Sequence, residues 1–119
     1  MQNLNNMDST TNMITKNFTL TKGDSLEFTI TIEDTEIAPN DIIFIVKDNV
    51  NSTDAVIEKS LQDEEIERTE DEGFVYKIYI PSTDTDDLKI LNYIYQIELI
   101  FGSVHETVAE GKFLITPEL

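Results

Sequence analysis

The sequence lacks most of the side chains on which catalytic and metal chemistry depends. Its 119 residues include no cysteine, no tryptophan and a single histidine, His105. The absence of cysteine excludes disulfides and thiolate metal sites, and it leaves the cellular compartment open. One histidine cannot form a multi-histidine metal site, and no serine or threonine has an evident activating base. The four glycines are isolated, so there is no glycine-rich phosphate loop. We expect no catalytic, cofactor-binding or metal-binding residues, and therefore no enzyme.

Long apolar runs and basic residues are also scarce. No stretch of about 18 apolar residues could cross a membrane, and the first residues do not show the basic and apolar regions of a signal peptide. The 24 acidic and 8 basic residues give a formal net charge of −16. Such a chain repels the phosphates of nucleic acids and of anionic membrane surfaces. We therefore expect neither nucleic acid nor membrane among its partners.

What the sequence does contain is a series of strand patterns. Apolar residues recur at every second position in 26–32, 74–80 and 92–101, which is the period of a strand with one buried face. The run Ile42–Lys47 is apolar almost throughout, and it predicts a central strand that is covered on both faces. Shorter patterns predict further strands at 18–20 and 104–116. Residues 55–60 also predict a strand, because β-branched residues lead the segment, although the spacing of Val56, Ile57, Ser60 and Leu61 also fits the start of a helix.

Turn residues separate these strands at intervals of 8–12 residues. Gly102-Ser103 predicts a two-residue hairpin turn of type II′, and Glu110-Gly111 predicts a bulge in the last strand. The segment from Ser82 to Leu91 predicts a corner, and Tyr93 and Tyr95 follow it. A tyrosine at that position commonly bonds back to the corner. About seven antiparallel strands with no convincing helix indicate an all-β sandwich.

The first 16 residues differ from the rest of the chain. They are polar and rich in Asn and Thr, which predicts an arm. Two alternatives stay open: a flexible tail, or an arm that becomes ordered on a neighbouring subunit. In the second case, Met7, Met13 and Ile14 are the predicted partner-binding side chains. The sandwich domain is then expected to span residues 17–119.

Acidic clusters are the remaining candidates for a site. Residues 62–72 carry seven acids and one base and predict a solvated loop, and contact with a cation or a basic partner stays open. Asp48–Asp54 and Asp84–Asp87 offer oxygen atoms of the kind that Ca²⁺ prefers. Neither segment matches the spacing of an EF-hand loop, so solvated turns are the expected structure.

Three blocks of sequence, taken in order, carry a resemblance. They are Phe18–Ile32, then Ser82–Leu88 followed by Tyr93–Ile97, then Thr107–Pro117. In this combination the chain resembles the immunoglobulin-like modules of tailed-bacteriophage virion proteins, including small head or tail accessory proteins and the N-terminal domain of baseplate upper proteins. Asn92 departs from the pattern, because a glycine often precedes the Tyr-x-Tyr strand. The resemblance implies an immunoglobulin-like β-sandwich that docks by surface complementarity and carries no catalytic residues.

The function that this resemblance implies is structural. We expect a capsid decoration or auxiliary protein on the exterior of a tailed-phage virion, made in the host cytoplasm. Its partners would be the major capsid protein or other virion proteins, and homo-oligomer formation stays open. One alternative is a tail or baseplate component of the same fold. Another is a soluble carbohydrate- or calcium-binding β-sandwich module.

Overall fold

The computed structural model describes residues 6–9, 14–33, 36–69 and 73–117, the first of these segments as backbone alone. Within these residues the chain forms ten strands and one short helix. In chain order the elements are β1 Asn6–Ser9, β2 Ile14–Thr15, β3 Phe18–Thr21, β4 Leu26–Ile32, β5 Asp41–Lys47, β6 Ile57–Ser60, β7 Ile66–Arg68, β8 Val75–Ile80, α1 Ser82–Asp86, β9 Asn92–Phe101 and β10 Val104–Thr116.

The strands form two sheets that pack face to face. The small sheet has the order β1-β4-β8-β7, and the large sheet has the order β2-β10-β9-β5-β6, with β3 also paired to β10. The seven strands from β4 to β10 pair antiparallel. The three N-terminal strands pair in parallel, β1 with β4, and β2 and β3 with β10. The predicted all-β sandwich is confirmed.

Alternation along the strands places one face of each sheet in the core. The buried residues include Phe28, Ile30 and Ile32 of β4 and Tyr93, Tyr95, Ile97 and Leu99 of β9. Five aromatic rings, which we call the aromatic cluster, meet between the sheets: Phe18, Phe28, Phe44, Tyr95 and Phe113. Neighbouring ring centroids lie between 4.9 Å and 6.3 Å apart. Each such ring contributes about 1.5–3 kcal/mol by burial, so this cluster is a main source of stability.

The prediction for β5 was wrong in one respect. Its inward residues Ile42, Phe44 and Val46 are fully buried, whereas Ile43 and Ile45 point outward and are partly exposed. The strand is central in its sheet, because it pairs with both β6 and β9. β-branched residues suit the pleated surface of a strand even when that surface is only half buried. An apolar run therefore does not require cover on both faces.

The acidic segment contains a strand that the sequence did not predict. Residues 61–65 form a turn in which Glu64 adopts a positive φ of 64°. The next residues, Ile66–Arg68, pair with β8, and Ile66 is almost completely buried. Residues 70–72 of the predicted loop lie outside the described residues. This three-residue strand buries a single side chain. One buried residue among seven acidic residues does not produce a recognisable alternation of apolar and polar positions.

The β9–β10 hairpin has the predicted turn. Phe101 pairs with Val104 across Gly102-Ser103, and of these two turn residues only Gly102 has a positive φ, as a type II′ turn requires. The predicted bulge is displaced: the register shifts between Thr107 and Ala109, not at Glu110-Gly111. Val108 and Ala109 are consecutive and both buried, which an extra residue in one strand permits.

Candidate functional site

The described residues of the predicted arm pair within the chain itself. The β1 register runs from Asn6 opposite Thr29 to Ser9 opposite Ile32. Of the predicted anchoring residues, Met7 pairs with Ile30 through its backbone. Ile14 is partly buried and packs against the core, and Met13 lies outside the described residues. Whether these residues also bind a partner stays a prediction.

The connection between β2 and β3 is held tightly against β10. The Tyr95 hydroxyl donates to the Lys16 carbonyl, and the Lys16 N–H donates to the Glu110 carbonyl at 3.2 Å. The Lys112 N–H donates to Asn17 Oδ1 at 2.8 Å. Burial, and then the nearby Glu110 charge, raise the pKa of the Tyr95 hydroxyl. The hydroxyl therefore stays protonated and remains a donor.

Gly111 makes this close approach possible. A Cβ atom at Gly111 would lie 2.0 Å from the Lys16 carbonyl oxygen and 2.8 Å from its carbon. No other residue fits at this point without moving the backbone of the β2–β3 connection. The sequence pattern assigned Gly111 to a bulge. A glycine is required there because the β2–β3 connection crosses β10 at this residue.

The outward face of the large sheet carries the most coherent surface feature. Ile43 and Ile45 of β5 and Ile94 and Ile100 of β9 are all partly exposed there; we call these four residues the isoleucine face. A groove of about 230 Å³ lies on this face and is lined by Ile43 and Ile45. The groove is also lined by Lys47, Glu58, Gln96 and Glu98.

Charged residues lie in rows that cross the isoleucine face. Lys47, Ile94 and Lys112 form one row across three strands. The next row contains Glu58, Ile45, Gln96 and Glu110. The two rows are neighbours, and each contains one isoleucine of the face, so charged and apolar side chains alternate across it. Surfaces that bind other proteins commonly combine both kinds of side chain.

The sequence analysis missed this face, although a signal for it was present. β5 begins with Asp41 and ends with Lys47, and both share the parity of Ile43 and Ile45. Charged residues at both ends of one face indicate that this face is accessible to water. The lone histidine, His105, is exposed, and its Nδ1 lies 3.0 Å from Glu98 Oε1.

An ion-pair network closes one edge of the sandwich. Lys59 Nζ lies 2.7 Å from Asp84 Oδ2 and 3.6 Å from Glu65 Oε2. The Lys59 side chain is 14% exposed. Burial lowers the pKa of Lys59, but hydrogen bonding and charge attraction from Asp84 and then Glu65 outweigh it, so the pKa is raised. The network joins β6, the acidic turn and α1.

The two calcium candidates have other partners in the structure. Asp84 belongs to the Lys59 network. In the other segment, Asn49 Oδ1 accepts from the Asn51 N–H at 2.9 Å, which forms a local turn. Within the described ranges, no three acidic or histidine side chains are grouped so that they could hold a metal ion.

The corner before β9 contains two further structural contacts. The Tyr93 hydroxyl accepts from the Lys89 N–H at 3.0 Å and donates to the Lys89 carbonyl at 3.2 Å. The buried Thr85 hydroxyl of α1 donates to the Asp24 carbonyl at 2.7 Å. The predicted tyrosine contact is confirmed for Tyr93, whereas Tyr95 bonds to the β2–β3 connection. The one helix in the described part of the chain, α1, is not long and apolar enough to span a membrane.

Comparison with known proteins finds similarity in fold alone. No protein-family model matches the chain, and no curated protein matches its sequence. A similar solved structure is the immunoglobulin-like domain of mouse leukocyte-associated immunoglobulin-like receptor 1, described as a strand-swapped dimer. It has a TM-score of 0.50 at 12% identity over 84% of this chain and 88% of that chain. The extracellular domain of the voltage-gated sodium channel β4 subunit, described as parallel homodimers, has a TM-score of 0.42 at 11% identity over 88% of this chain and 93% of that chain.

The structure fits the immunoglobulin frame strand by strand. The order β4-β8-β7 opposite β10-β9-β5-β6 is that of strands B-E-D opposite G-F-C-C′. Tyr93 occupies the tyrosine corner at the start of the sixth strand of that frame. Antibody domains place a cysteine two residues later and a tryptophan on strand C, and here the aromatic cluster with Tyr95 and Phe44 fills that space. The chain is an all-β immunoglobulin-like sandwich.

Proposed function

We propose that this chain is a non-enzymatic structural protein of a tailed-phage virion, and that it decorates the exterior of the capsid. The three sequence blocks that resemble phage modules lie on β3–β4, on α1 and β9, and on β10. These elements form most of the sandwich, so the resemblance in sequence and the immunoglobulin-like fold agree. The proposed partners are the major capsid protein or other virion proteins.

The observation that carries this proposal is the isoleucine face. Its isoleucines are partly exposed, and polar and charged side chains lie between them. Interfaces between proteins combine apolar and polar side chains over a broad surface. The groove on this face, at about 230 Å³, is smaller than the roughly 300–1,000 Å³ of typical small-molecule pockets. Docking of one protein on another is the activity that this geometry supports best.

The net charge agrees with a position outside the particle. At −16, the protein is repelled by packaged DNA. A high charge of one sign also keeps copies on a crowded surface from associating without specificity. The basic row of Lys47 and Lys112 is a local exception to this charge. We expect it to face acidic groups of the capsid partner.

The proposal is tested on virus particles. Mass spectrometry of purified particles should detect the protein, and cryo-electron microscopy should place its density on the shell with the large sheet toward the capsid. Density on the tail or baseplate would contradict capsid decoration and support the alternative role, a tail or baseplate component. Absence of the protein from purified particles would overturn both.

A pair of variants tests the docking face. The double variant Ile43→Thr/Ile45→Thr keeps β-branched side chains, which preserves strand propensity, and removes the apolar floor of the groove. We expect it to bind particles that lack the wild-type protein at least about tenfold more weakly, a loss of roughly 1.4 kcal/mol. The control Val75→Thr/Tyr79→Thr changes two outward residues of the small sheet and should bind normally. Equal binding by both variants would rule out this face.

A further inference from the structure

The distribution of charge separates the N-terminal segment from the rest of the chain. Residues 1–23 contain only one of the 24 acidic residues, Asp8, together with Lys16 and Lys22. The remaining residues, 24–119, hold 23 acidic and 6 basic residues, which gives −17. Two copies of this protein therefore repel each other strongly through their bodies. The N-terminal segment carries almost none of this negative charge, so it is the part of one copy that meets the least electrostatic repulsion from another.

The two described parts of this segment lie on different sheets. From Ile14 onward the chain is held by the core and by the bonds to Glu110, Tyr95 and Lys112. β1 is joined to β4 by a parallel ladder of four residues at the edge of the small sheet. Four residues of chain link Ser9 on the small sheet to Ile14 on the large sheet.

We infer that β1 is exchanged between two copies of this protein, so that β1 of one copy pairs with β4 of the other. Exchange preserves every main-chain contact of the ladder, because the partner supplies an identical strand. A short link between elements on different sheets favours such an exchange. The partner is thus a second copy of this chain, and the acceptor is the edge of Thr29–Ile32. This inference concerns self-association and does not depend on the proposed place in a virion.

The edges formed by β6 and β7 are poorer acceptors. β6 and β7 are edge strands of four and three residues, and they carry Glu58, Lys59, Glu67 and Arg68. Short, charged edges discourage pairing with another chain. The edge of β4 differs because its outward residues there, Thr29 and Thr31, are uncharged. This edge of β4 already pairs with β1, and a second copy would supply the same strand.

The absence of cysteine allows a direct test. In the ladder, Asp8 pairs with Thr31. Neighbouring strands lie about 4.8 Å apart, and Cα separations of roughly 4.4–6.8 Å suit a disulfide. The double variant Asp8→Cys/Thr31→Cys should therefore close a disulfide with no native thiol to compete. When the single variants Asp8→Cys and Thr31→Cys are co-expressed, only exchange between copies brings the two cysteines together.

The expected result is a covalent dimer from the co-expressed single variants, with the Asp8–Thr31 linkage identified by peptide mass mapping after oxidation. Its yield should rise from 50 mM to 500 mM NaCl, because salt screens the repulsion between the bodies. The control pair, Asp8→Cys with Glu58→Cys on the opposite edge, should give no specific linkage. A mixed linkage no more abundant than in this control would overturn exchange. Failure of the double variant to form any disulfide would overturn the β1–β4 pairing itself.

Discussion

Replacing Gly111 by alanine tests how the β2–β3 connection is held on the sandwich. The added Cβ would lie 2.0 Å from the Lys16 carbonyl oxygen, 2.8 Å from the carbonyl carbon and 3.0 Å from Asn17 Oδ1. Two of these atoms are backbone, so a change of rotamer cannot relieve the clash. The connection between β2 and β3 must move away from β10.

The cost follows from the contacts that this movement breaks. Three hydrogen bonds converge there: Tyr95 to Lys16, Lys16 to Glu110, and Lys112 to Asn17. Each contributes roughly 0.5–1.5 kcal/mol net. The Tyr95 hydroxyl is buried, so losing its acceptor adds a desolvation cost. We expect Gly111→Ala to lower the free energy of unfolding by about 3 kcal/mol, a large share of the total stability of a domain.

Urea unfolding followed by tyrosine fluorescence or far-UV circular dichroism measures this loss. Gly102→Ala is the matched control, because Gly102 lies in the same hairpin, has a positive φ and has open space around it. It should cost only the conformational penalty of about 1–2 kcal/mol. In a double-mutant cycle, Tyr95→Phe should cost little once Gly111→Ala is present. The reasoning is refuted if Gly111→Ala is no more destabilising than Gly102→Ala, or if the two effects in the cycle simply add.

Two further predictions concern the edge network and the corner. Lys59→Met should destabilise the protein by about 1 kcal/mol at neutral pH, since Asp84 and Glu65 are partly exposed and solvent screens the pair. The pKa of Lys59 is raised in the folded state, so its contribution to stability is complete below the ordinary lysine pKa of about 10.5. That contribution is lost as the pH rises through the higher folded-state pKa. Between pH 8 and pH 12, the free energy of unfolding should therefore fall more steeply for the wild type than for the variant. Tyr93→Phe removes both bonds to Lys89 and should cost about 1–3 kcal/mol in chemical unfolding.

Each of these predictions has a control elsewhere on the surface. Lys77 pairs with Glu27 at 3.6 Å and both are well exposed, so Lys77→Met should change stability by less than about 0.5 kcal/mol. Tyr79 is 46% exposed, and Tyr79→Phe should be neutral. Equal effects of the two lysine variants, or of the two tyrosine variants, would contradict the roles assigned to Lys59 and Tyr93.

Strand positions were predictable wherever a strand buries one face over several residues. β4, β8 and β9 lie close to their predicted ranges, because each alternation reports which side chains avoid water. The alternation of apolar residues did not predict β7, where only Ile66 is buried among charged neighbours. Alternation also did not predict the outer face of β5, where Ile43 and Ile45 are partly exposed. Burial and propensity favour the same residue types there, so the pattern could not separate them.

The candidate site was predictable only in part. The sequence placed the binding role in the first 16 residues, and the structure describes two short strands there that pair within the chain. The isoleucine face depends on β5 and β9 being neighbours although about 50 residues separate them. No local pattern contains that pairing. The contact of Lys59 with Asp84 also joins residues that are far apart in the chain, and it left no periodic signal.

By itself, the sequence determined that this protein is an acidic β-sandwich with a type II′ hairpin and a tyrosine corner. These features are local, because they depend on alternation, on turn residues and on the composition of short segments. Only the tertiary structure decided that β1, β2 and β3 pair in parallel, that Gly111 lies beneath Lys16, and that four isoleucines form one surface. Those features depend on register and on the stacking of two sheets, and both are set by contacts between residues far apart in the chain.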